Sequence, residues 1–212
     1  MSNNIQKEGN DVEVRTLRYR DFNAARKFAI EGMHVKRYCH SEIEVFVYSW
    51  FFFCMEILKA STALGAYLDD KLVGVLLVEE RGKPKIFHSV FCYYCVSFVS
   101  WILSIFYKNS SGLYDEVNAN FLKSFRKTYS DDGEIMYFAV DPTIIGKGIG
   151  SKLLQKFERQ AKGKTIFLFT DDGCTYQFYE KRGFTRFSKQ DIHMTIRNKK
   201  VVMSCFLYYK TI

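Results

Sequence analysis

The chain has 212 residues, 48% of them apolar, and a formal net charge of +8. This length and apolar content suffice for one domain with a substantial core. The basic residues are spread along the chain without a block of like charges, a pattern that argues against a nucleic-acid partner. No linker, internal repeat or low-complexity tract interrupts the chain, so we expect residues 1–212 to form a single domain.

Two further features of composition bear on compartment and on metal binding. The N-terminal residues Met1 to Asn10 are polar and lack the apolar segment of a secretory signal, so we expect a cytoplasmic protein. Cys92-Tyr93-Tyr94-Cys95 with His88 upstream has the form of half a zinc site, but no second pair follows at zinc spacing, and we expect no metal. The cysteines are irregularly spaced and mostly lie in apolar runs, which predicts reduced, buried thiols: Cys39, Cys54, Cys92, Cys95, Cys174 and Cys205.

The first elements of the chain are predicted from apolar periodicity. A strand over Val12–Leu17 leads into a helix over Asp21–Gly32. An aromatic helix follows from about Glu42 to Lys59. The apolar stripe of this helix is predicted to lie in the core, and it consists of Phe46, Trp50, Phe53 and Ile57.

A β-hairpin is predicted after the aromatic helix. The β-rich runs Thr62–Leu68 and Leu72–Glu79 flank the polar corner Asp69-Asp70, which has the length of a hairpin turn. Beyond the hairpin, the region from about residue 85 to 130 reads as helical. We expect it to form a helical insertion between the third and fourth strands.

The segment Val90–Tyr107 within this insertion contains no charged residue. A membrane span is one interpretation of such a run. Its serines and tyrosines make it less apolar than most spans, and a span here would split an otherwise continuous fold across a bilayer. We therefore predict a buried helix, or a helix packed on a partner subunit, and a homodimer is possible.

The second half of the chain predicts alternating strands and helices and ends in two strands. The order is a strand over Glu134–Val140, a helix over Gly148–Ala161, a strand over Thr165–Thr170, a helix over Cys174–Lys181, and strands near Phe184–Ile196 and Val201–Tyr209. Together with the first half, this pattern predicts an α/β fold with a mixed sheet and helices on both faces.

A glycine-rich loop, Gly146-Lys147-Gly148-Ile149-Gly150, lies between a predicted strand and a predicted helix. Glycines let the backbone approach a ligand, and the helix start offers unpaired N–H groups, so the loop is a candidate pyrophosphate site. Neither the spacing of a P-loop nor that of a dinucleotide fingerprint fits these glycines. A turn without any ligand is the alternative reading of so short a motif.

A second segment, running from Tyr176 to Phe184 with Gly183 at the expected helix stop, lies about thirty residues downstream. With the loop and Val140-Asp141-Pro142, it resembles the GNAT superfamily of acyl-CoA-dependent N-acyltransferases over roughly residues 134 to 185. The resemblance implies a central, mixed, mostly antiparallel twisted sheet of about seven strands. It also implies acetyl-CoA as co-substrate, and Tyr179 as the residue that protonates the departing thiolate.

The resemblance further implies a set of residues that bind coenzyme A. The family usually has Arg or Gln at the position of Ile145, and many members have Asn at the position of Asp172, so side-chain contacts at both positions are expected to differ. Lys147 or Lys152 is then the expected source of positive charge near the phosphates. The implied set is Phe138, Ala139, Val140, Ile145, Gly146, Lys147, Gly148, Ile149, Gly150, Ser151, Asp172 and Phe178.

The implied reaction is acetyl transfer to a primary amine by direct attack in a ternary complex, and it requires a base. An amine of pKa near ~10 is protonated at neutral pH and must lose a proton before attack. Glu134 is the candidate base, and an exposed charge at a strand end is its alternative reading. A backbone N–H near Ala139-Val140 is expected to stabilise charge on the thioester oxygen. Packing alone is the alternative role for Tyr179.

Two other functional classes stay open at this point. The chain can be a non-catalytic acyl-CoA-binding or sensor module that kept the loop without the chemistry. It can also be an aromatic-rich structural or membrane-associated protein in which the loop is an ordinary turn. Within the transferase reading, the acceptor is a small-molecule or peptide amine. Its recognition is expected from residues around Gly32–Tyr48 and from the insertion.

Overall fold

A computed structural model describes residues 11–32, 36, 39, 41–106, 112–144, 146–196 and 199–212. These residues form one seven-stranded sheet in the order β1-β2-β3-β4-β5-β7-β6. Its strands are β1 (Glu13–Thr16), β2 (Thr62–Leu68), β3 (Lys71–Glu80), β4 (Gly133–Val140), β5 (Thr165–Asp171), β6 (Thr185–Ile196) and β7 (Lys199–Thr211). The helices are α1 (Phe22–Gly32), α2 (Glu42–Lys59), α3 (Val90–Phe106), α4 (Leu113–Phe125), α5 (Ile149–Gln160) and the single turn α6 (Gln177–Glu180).

The sheet is mixed and mostly antiparallel, as predicted. Its parallel pair is β4 with β5, and the register of that pair contains only Gly133 opposite Ile166 and Glu134 opposite Phe167. Beyond Glu134 the two strands are no longer paired, so their carboxyl-terminal halves diverge. A V-shaped gap therefore opens in the middle of the sheet, with its vertex at Glu134.

The β2–β3 hairpin turns at Asp69 and Asp70, as the sequence predicts. Both residues have positive φ, 50° and 58°, which is the backbone of a type I′ turn. The Asp70 carboxylate accepts hydrogen bonds from Arg15, from Arg18 at 3.0 Å and from Arg20 at 2.5 Å. These guanidinium groups hold the pKa of Asp70 well below its usual range.

Helices cover both faces of the sheet, which confirms that prediction. Helices α1 and α2 pack on one face, where Phe53 and Tyr137 lie in a common cluster. Helix α4 covers the β5-β7-β6 part of the same face through Phe121 and Phe125. Helix α5 covers the opposite face, with Phe157 fully buried. The insertion between β3 and β4 carries the helices α3 and α4, as expected.

The predicted core stripe of α2 is only partly correct. Phe53 and Ile57 are fully buried and Trp50 is half-buried, but Phe46 is 57% exposed. The reason is that α2 meets the sheet through its second half, where Phe53 packs on Tyr137. At Phe46 the ring instead meets the guanidinium of Arg26, 5.2 Å from its centroid.

Of the two alternatives predicted for α3, a buried helix and a helix packed on a partner subunit, the first is wrong. Cys92 is buried and Cys95 and Val96 are half-buried against the α1–α2 cluster, but Tyr94 and Trp101 are 66% and 60% exposed. The physical reason is that α3 rests on α2 rather than on the sheet, so one stripe of the helix is covered and the rest is not. Among the described helices, none has the length and hydropathy needed to span a membrane.

The six cysteines are all reduced rather than disulfide-bonded, and four of them are buried. The Cys54 thiol on α2 donates to Cys92 Sγ on α3 at 2.7 Å, so the two helices meet through this pair. Within the described ranges no three His, Cys, Asp or Glu side chains are grouped so as to hold a metal ion.

Candidate active site

The glycine-rich loop leads into α5 beside the carboxyl-terminal end of β4. Gly146 and Gly148 have φ of 79° and 63°, a conformation that favours glycine. A Cβ built at either position meets no atom within 4 Å, so the loop borders open space. Gly148 caps α5 without a side-chain hydrogen bond, which leaves first-turn N–H groups facing that space. This is the arrangement that a diphosphate requires.

Gly150 has a different role from the other two glycines. A Cβ at this position would stand 3.0 Å from the ring of Phe178, which packs against the first turn of α5. The Phe178 ring also meets Phe138 of β4 edge-on, with centroids 5.3 Å apart. Gly150 therefore lets α6 approach both α5 and β4, and it closes one side of the gap.

Arg182 is a residue at the loop that sequence reasoning missed. Its guanidinium donates to Ser151 Oγ in the first turn of α5 and to the Phe178 carbonyl at 3.2 Å. It also stacks on the Phe178 ring, 3.7 Å from the centroid. A positive charge is thus fixed beside the helix start. The sequence does not reveal that Arg182 lies beside the loop, because Ser151 and Arg182 are separated by 31 residues in the chain.

The remaining residues predicted to contact coenzyme A have different surroundings. Lys152 forms an ion pair with Asp11, while Lys147 is exposed in the loop. Ile145 lies outside the described residues, so its predicted role stays a prediction. Asp172 is exposed, and its Oδ1 accepts from the Ser204 N–H at 3.2 Å, which turns the carboxylate toward β7, away from the gap.

Tyr179 lies at the mouth of the gap on α6. Its ring packs against Phe138, Phe178 and Phe184, with centroids 6.3, 5.4 and 5.7 Å away. Burial raises the pKa of the phenol, so the hydroxyl stays protonated across the physiological range. Among the residues that the structure describes, none forms a hydrogen bond with this hydroxyl, so its proton is available to a ligand.

The helix that carries Tyr179 is shorter than predicted. Only Gln177–Glu180 are helical, whereas the sequence predicted Cys174–Lys181. The difference arises because the Cys174 N–H donates to Asp171 and the Tyr176 N–H donates to Cys174 in consecutive turns. Gly183, with φ of 80°, ends the segment as predicted.

Glu134 lies at the vertex of the gap, on the last residue of β4 that pairs with β5. Burial, and then the nearby charge of Glu56 on α2, raise the pKa of Glu134 to about 7. Its cross-strand neighbour on β3 is Glu79. Lys59 lies 3.7 Å from Glu56, and its positive charge partly offsets the rise in the pKa of Glu134. Lys85 forms an ion pair with Glu79. The carboxylate is thus poised to exchange a proton near neutral pH.

Glu134 and Tyr179 occupy opposite ends of the same gap. Phe138, whose ring packs near Tyr179, follows Glu134 by four residues, or about 13 Å of extended strand. Met136 between them stands at a register shift, because Leu77 pairs with Tyr137 and the next residue, Val78, pairs with Ile135. Past this bulge the β5 side of β4 carries no register partner, so backbone groups near Ala139 and Val140 line the gap.

The chain is similar to one protein family and to solved structures of acetyltransferases. The family model described as the acetyltransferase (GNAT) family matches residues 22–184. A search of curated proteins gave no match. Among solved structures, a histone acetyltransferase HPA2 and related acetyltransferase from Corynebacterium glutamicum is 14% identical, with a TM-score of 0.59, over 95% of this chain and 96% of that chain.

Two further solved structures share the fold. The polyamine N-acetyltransferase of Drosophila melanogaster is 11% identical, with a TM-score of 0.59, over 95% of this chain and 100% of that chain. The PaiA N-acetyltransferase of Thermoplasma acidophilum, in complex with coenzyme A, is 16% identical, with a TM-score of 0.51, over 95% of this chain and 99% of that chain. At such identities the likeness shows the fold.

Proposed function

This chain belongs to the acetyltransferase (GNAT) family, and on that premise we propose that it transfers an acetyl group from acetyl-CoA to a primary amine by direct attack in a ternary complex. The observation that carries the proposal is the open glycine loop at the start of α5, beside a gap that ends in a protonated tyrosine. Acetyl-CoA supplies the acetyl group as a thioester, which is activated toward amines.

The loop residues fit the donor. The open space at Gly146 and Gly148, together with the uncapped start of α5, supports binding of the pyrophosphate by backbone N–H groups of the loop and of Ser151. Lys147 and Arg182 add positive charge there. The unpaired edge of β4 near Ala139 and Val140 is suited to hold an extended chain and to donate to a developing oxyanion.

Tyr179 acts as the general acid in this proposal. It gives its phenolic proton to the departing sulfur, and the solvent returns that proton. With its raised pKa, the phenol still carries its proton when the sulfur departs. The aromatic rings around Tyr179 fix its orientation at the mouth of the gap.

Glu134 acts as the general base. Its pKa of about 7 means that the carboxylate is neutral below this pH and ionised above it. Only the ionised form accepts a proton from an ammonium group, so the catalytic rate is expected to rise as pH passes 7. The separation between Glu134 and the Tyr179 end calls for water to carry the proton from the acceptor to the carboxylate.

The acceptor is a small-molecule or peptide amine. Glu56, Glu79 and Glu134 concentrate carboxylates at the vertex end of the gap, and this supports an acceptor that arrives as a cation. The amine then meets the acetyl group from the side of the sheet covered by α1 and α2. A polyamine, an amino sugar and a lysine side chain all satisfy this chemistry.

The test is calorimetric titration of the purified protein with acetyl-CoA, followed by an amine screen that detects released thiol. Gly148→Trp is expected to abolish binding, because the indole fills the space at the loop. Gly82→Trp is the matched control: Gly82 has φ of 78° and equally open surroundings, but it follows β3, away from the loop. Absence of binding by the parent protein, or equal binding by both variants, would overturn the donor site. Binding without turnover of any amine would instead support an acyl-CoA sensor.

A further inference from the structure

Helix α3 presents an exposed aromatic stripe that the transferase chemistry does not use. The exposed side chains, which we call the α3 face, are between 58% and 69% exposed: Val90, Phe91, Tyr93, Tyr94, Phe98 and Trp101. A helix that is apolar around its whole circumference is ordinarily buried on all sides. In the described structure only α2 packs extensively on α3. The opposite side of the helix is therefore built for a partner.

The α3 face continues onto α2. Phe91 meets Trp50 edge-on, with ring centroids 5.1 Å apart. One to two turns earlier on α2, the exposed side chains of Ile43, Phe46 and Val47 extend the apolar surface. The patch thus spans two helices that are already held together through Cys54 and Cys92.

The area of this patch matches what a stable dimer needs. Five aromatic side chains at about three-fifths exposure offer roughly 600 Å², taking about 200 Å² for each open side chain. Val90 and the α2 residues bring the total to at least the ~800 Å² per partner of a standard protein interface. Tyrosine, tryptophan and phenylalanine are also the residues enriched at the centres of such interfaces.

Charge decides which partner fits. In a two-fold dimer the same patch meets itself, so a charged patch would repel its copy. The chain carries a net charge of +8, yet α3 contains no charged residue at all. A membrane surface would instead call for Lys and Arg around the aromatic residues. The lysines just before α3, Lys83 and Lys85, are instead paired with Glu80 and Glu79. The α2 end of the patch is acidic, with Glu42 and Glu44 in the first turn. These surroundings do not match those of a membrane-binding surface.

We propose that the α3 face is a two-fold interface between two copies of this chain. The α3 helices of the two copies pack on each other, and the α2 residues form the rim. The interface lies on the insertion rather than at the glycine loop, so both donor sites stay open in the dimer.

The experiment is sedimentation velocity of the full chain from nanomolar to tens of micromolar concentrations. We expect a dimer whose dissociation constant rises at least about thirtyfold in Trp101→Glu or Tyr94→Glu, the loss of one central hot spot. Val202→Glu is the matched control, because Val202 is 56% exposed on β7 and outside the patch. Circular dichroism melting verifies that each variant is folded.

A second measurement locates the contact without introducing charge. Ser97 is exposed on α3, so Ser97→Cys is expected to give a covalent dimer under mild oxidation, reversed by reducing agent. Ser124→Cys, on the exposed side of α4 in the same insertion, is expected to stay monomeric on a denaturing gel. A parent protein that is monomeric at every concentration overturns the proposal. So does a dimer that survives the double variant Tyr94→Glu/Trp101→Glu, or a monomer that floats with phosphatidylcholine vesicles.

Discussion

The two ends of β4 present different chemical groups to the gap: backbone at one end and side chains at the other. At its carboxyl end, the proposed donor site consists of backbone: glycines with positive φ, an uncapped helix start and an unpaired strand edge. At its amino end, the site consists of side chains, the carboxylates of Glu134, Glu79 and Glu56. Adding a side chain should therefore damage the donor end, whereas removing a charge should damage the vertex end. Tyr179 is the exception, because it is a side-chain group at the donor end.

Tyr179→Phe is expected to have the largest effect on turnover. Removing the hydroxyl deletes the proton donor but keeps the ring that packs on Phe138 and Phe184. We expect kcat to fall about a thousandfold, within the range for general acid catalysis, with acetyl-CoA affinity unchanged. Steady-state kinetics and calorimetry measure the two quantities separately. Full turnover in a variant that binds acetyl-CoA normally would remove the acid assignment.

Glu134→Gln tests the vertex end. The amide keeps the shape of the side chain but cannot accept a proton, so kcat/KM at pH 8 is expected to fall about a hundredfold. The parent profile should rise through an inflection near pH 7, which is absent in the variant. The gradual rise caused by deprotonation of the amine itself remains in both proteins. An unchanged inflection would assign it to another group.

Arg182→Ala tests whether the donor end depends on any side chain for phosphate binding. The guanidinium is fixed on Phe178 and Ser151, so its loss should raise the Kd for acetyl-CoA by about three- to tenfold, with kcat unchanged. The effect should shrink at high salt. Lys181→Ala, an exposed cation one residue earlier, is the control and should bind normally. Equal losses in both variants would indicate a general surface-charge effect.

Glu56→Gln is expected to have the smallest effect on activity. It tests whether the inflection in kcat/KM belongs to Glu134. The charge of Glu56 raises the pKa of Glu134, although burial is the larger cause. Removing that charge lowers the pKa of Glu134, so the inflection in kcat/KM should move to lower pH by a fraction of a unit. The variant should then be more active than the parent at pH 6 and similar at pH 8. A shift toward higher pH would contradict the proposed coupling.

Local patterns predicted most of the fold. The bounds of α2 and of the β2–β3 hairpin follow from helical spacing and from the polar corner at Asp69-Asp70. The glycine loop was identified from its place between a strand and a helix, and this position is local information too. The length of α6 was overestimated because turn hydrogen bonds near Cys174 compete with a helix over residues whose composition favours one.

Burial was harder to predict than secondary structure. Phe46 and Trp101 belong to apolar helical stripes, yet their side chains are 57% and 60% exposed. An apolar stripe indicates that a helix needs a partner, but it does not say whether the partner lies in the same chain. The same limit applies to Arg182, since its contact with Ser151 exists only after α6 packs on α5.

The sequence by itself determined the elements, the family resemblance and the candidate pair Tyr179 and Glu134, because each depends on residue type and spacing along the chain. Tertiary structure alone decided the chemistry of that pair. Glu134 acquires a pKa of about 7 because folding buries it and brings Glu56 nearby, and the pKa of Tyr179 is raised because rings from β4 and α6 and the ring of Phe184 bury the phenol. Desolvation and long-range charge arise only when distant parts of the chain are packed together.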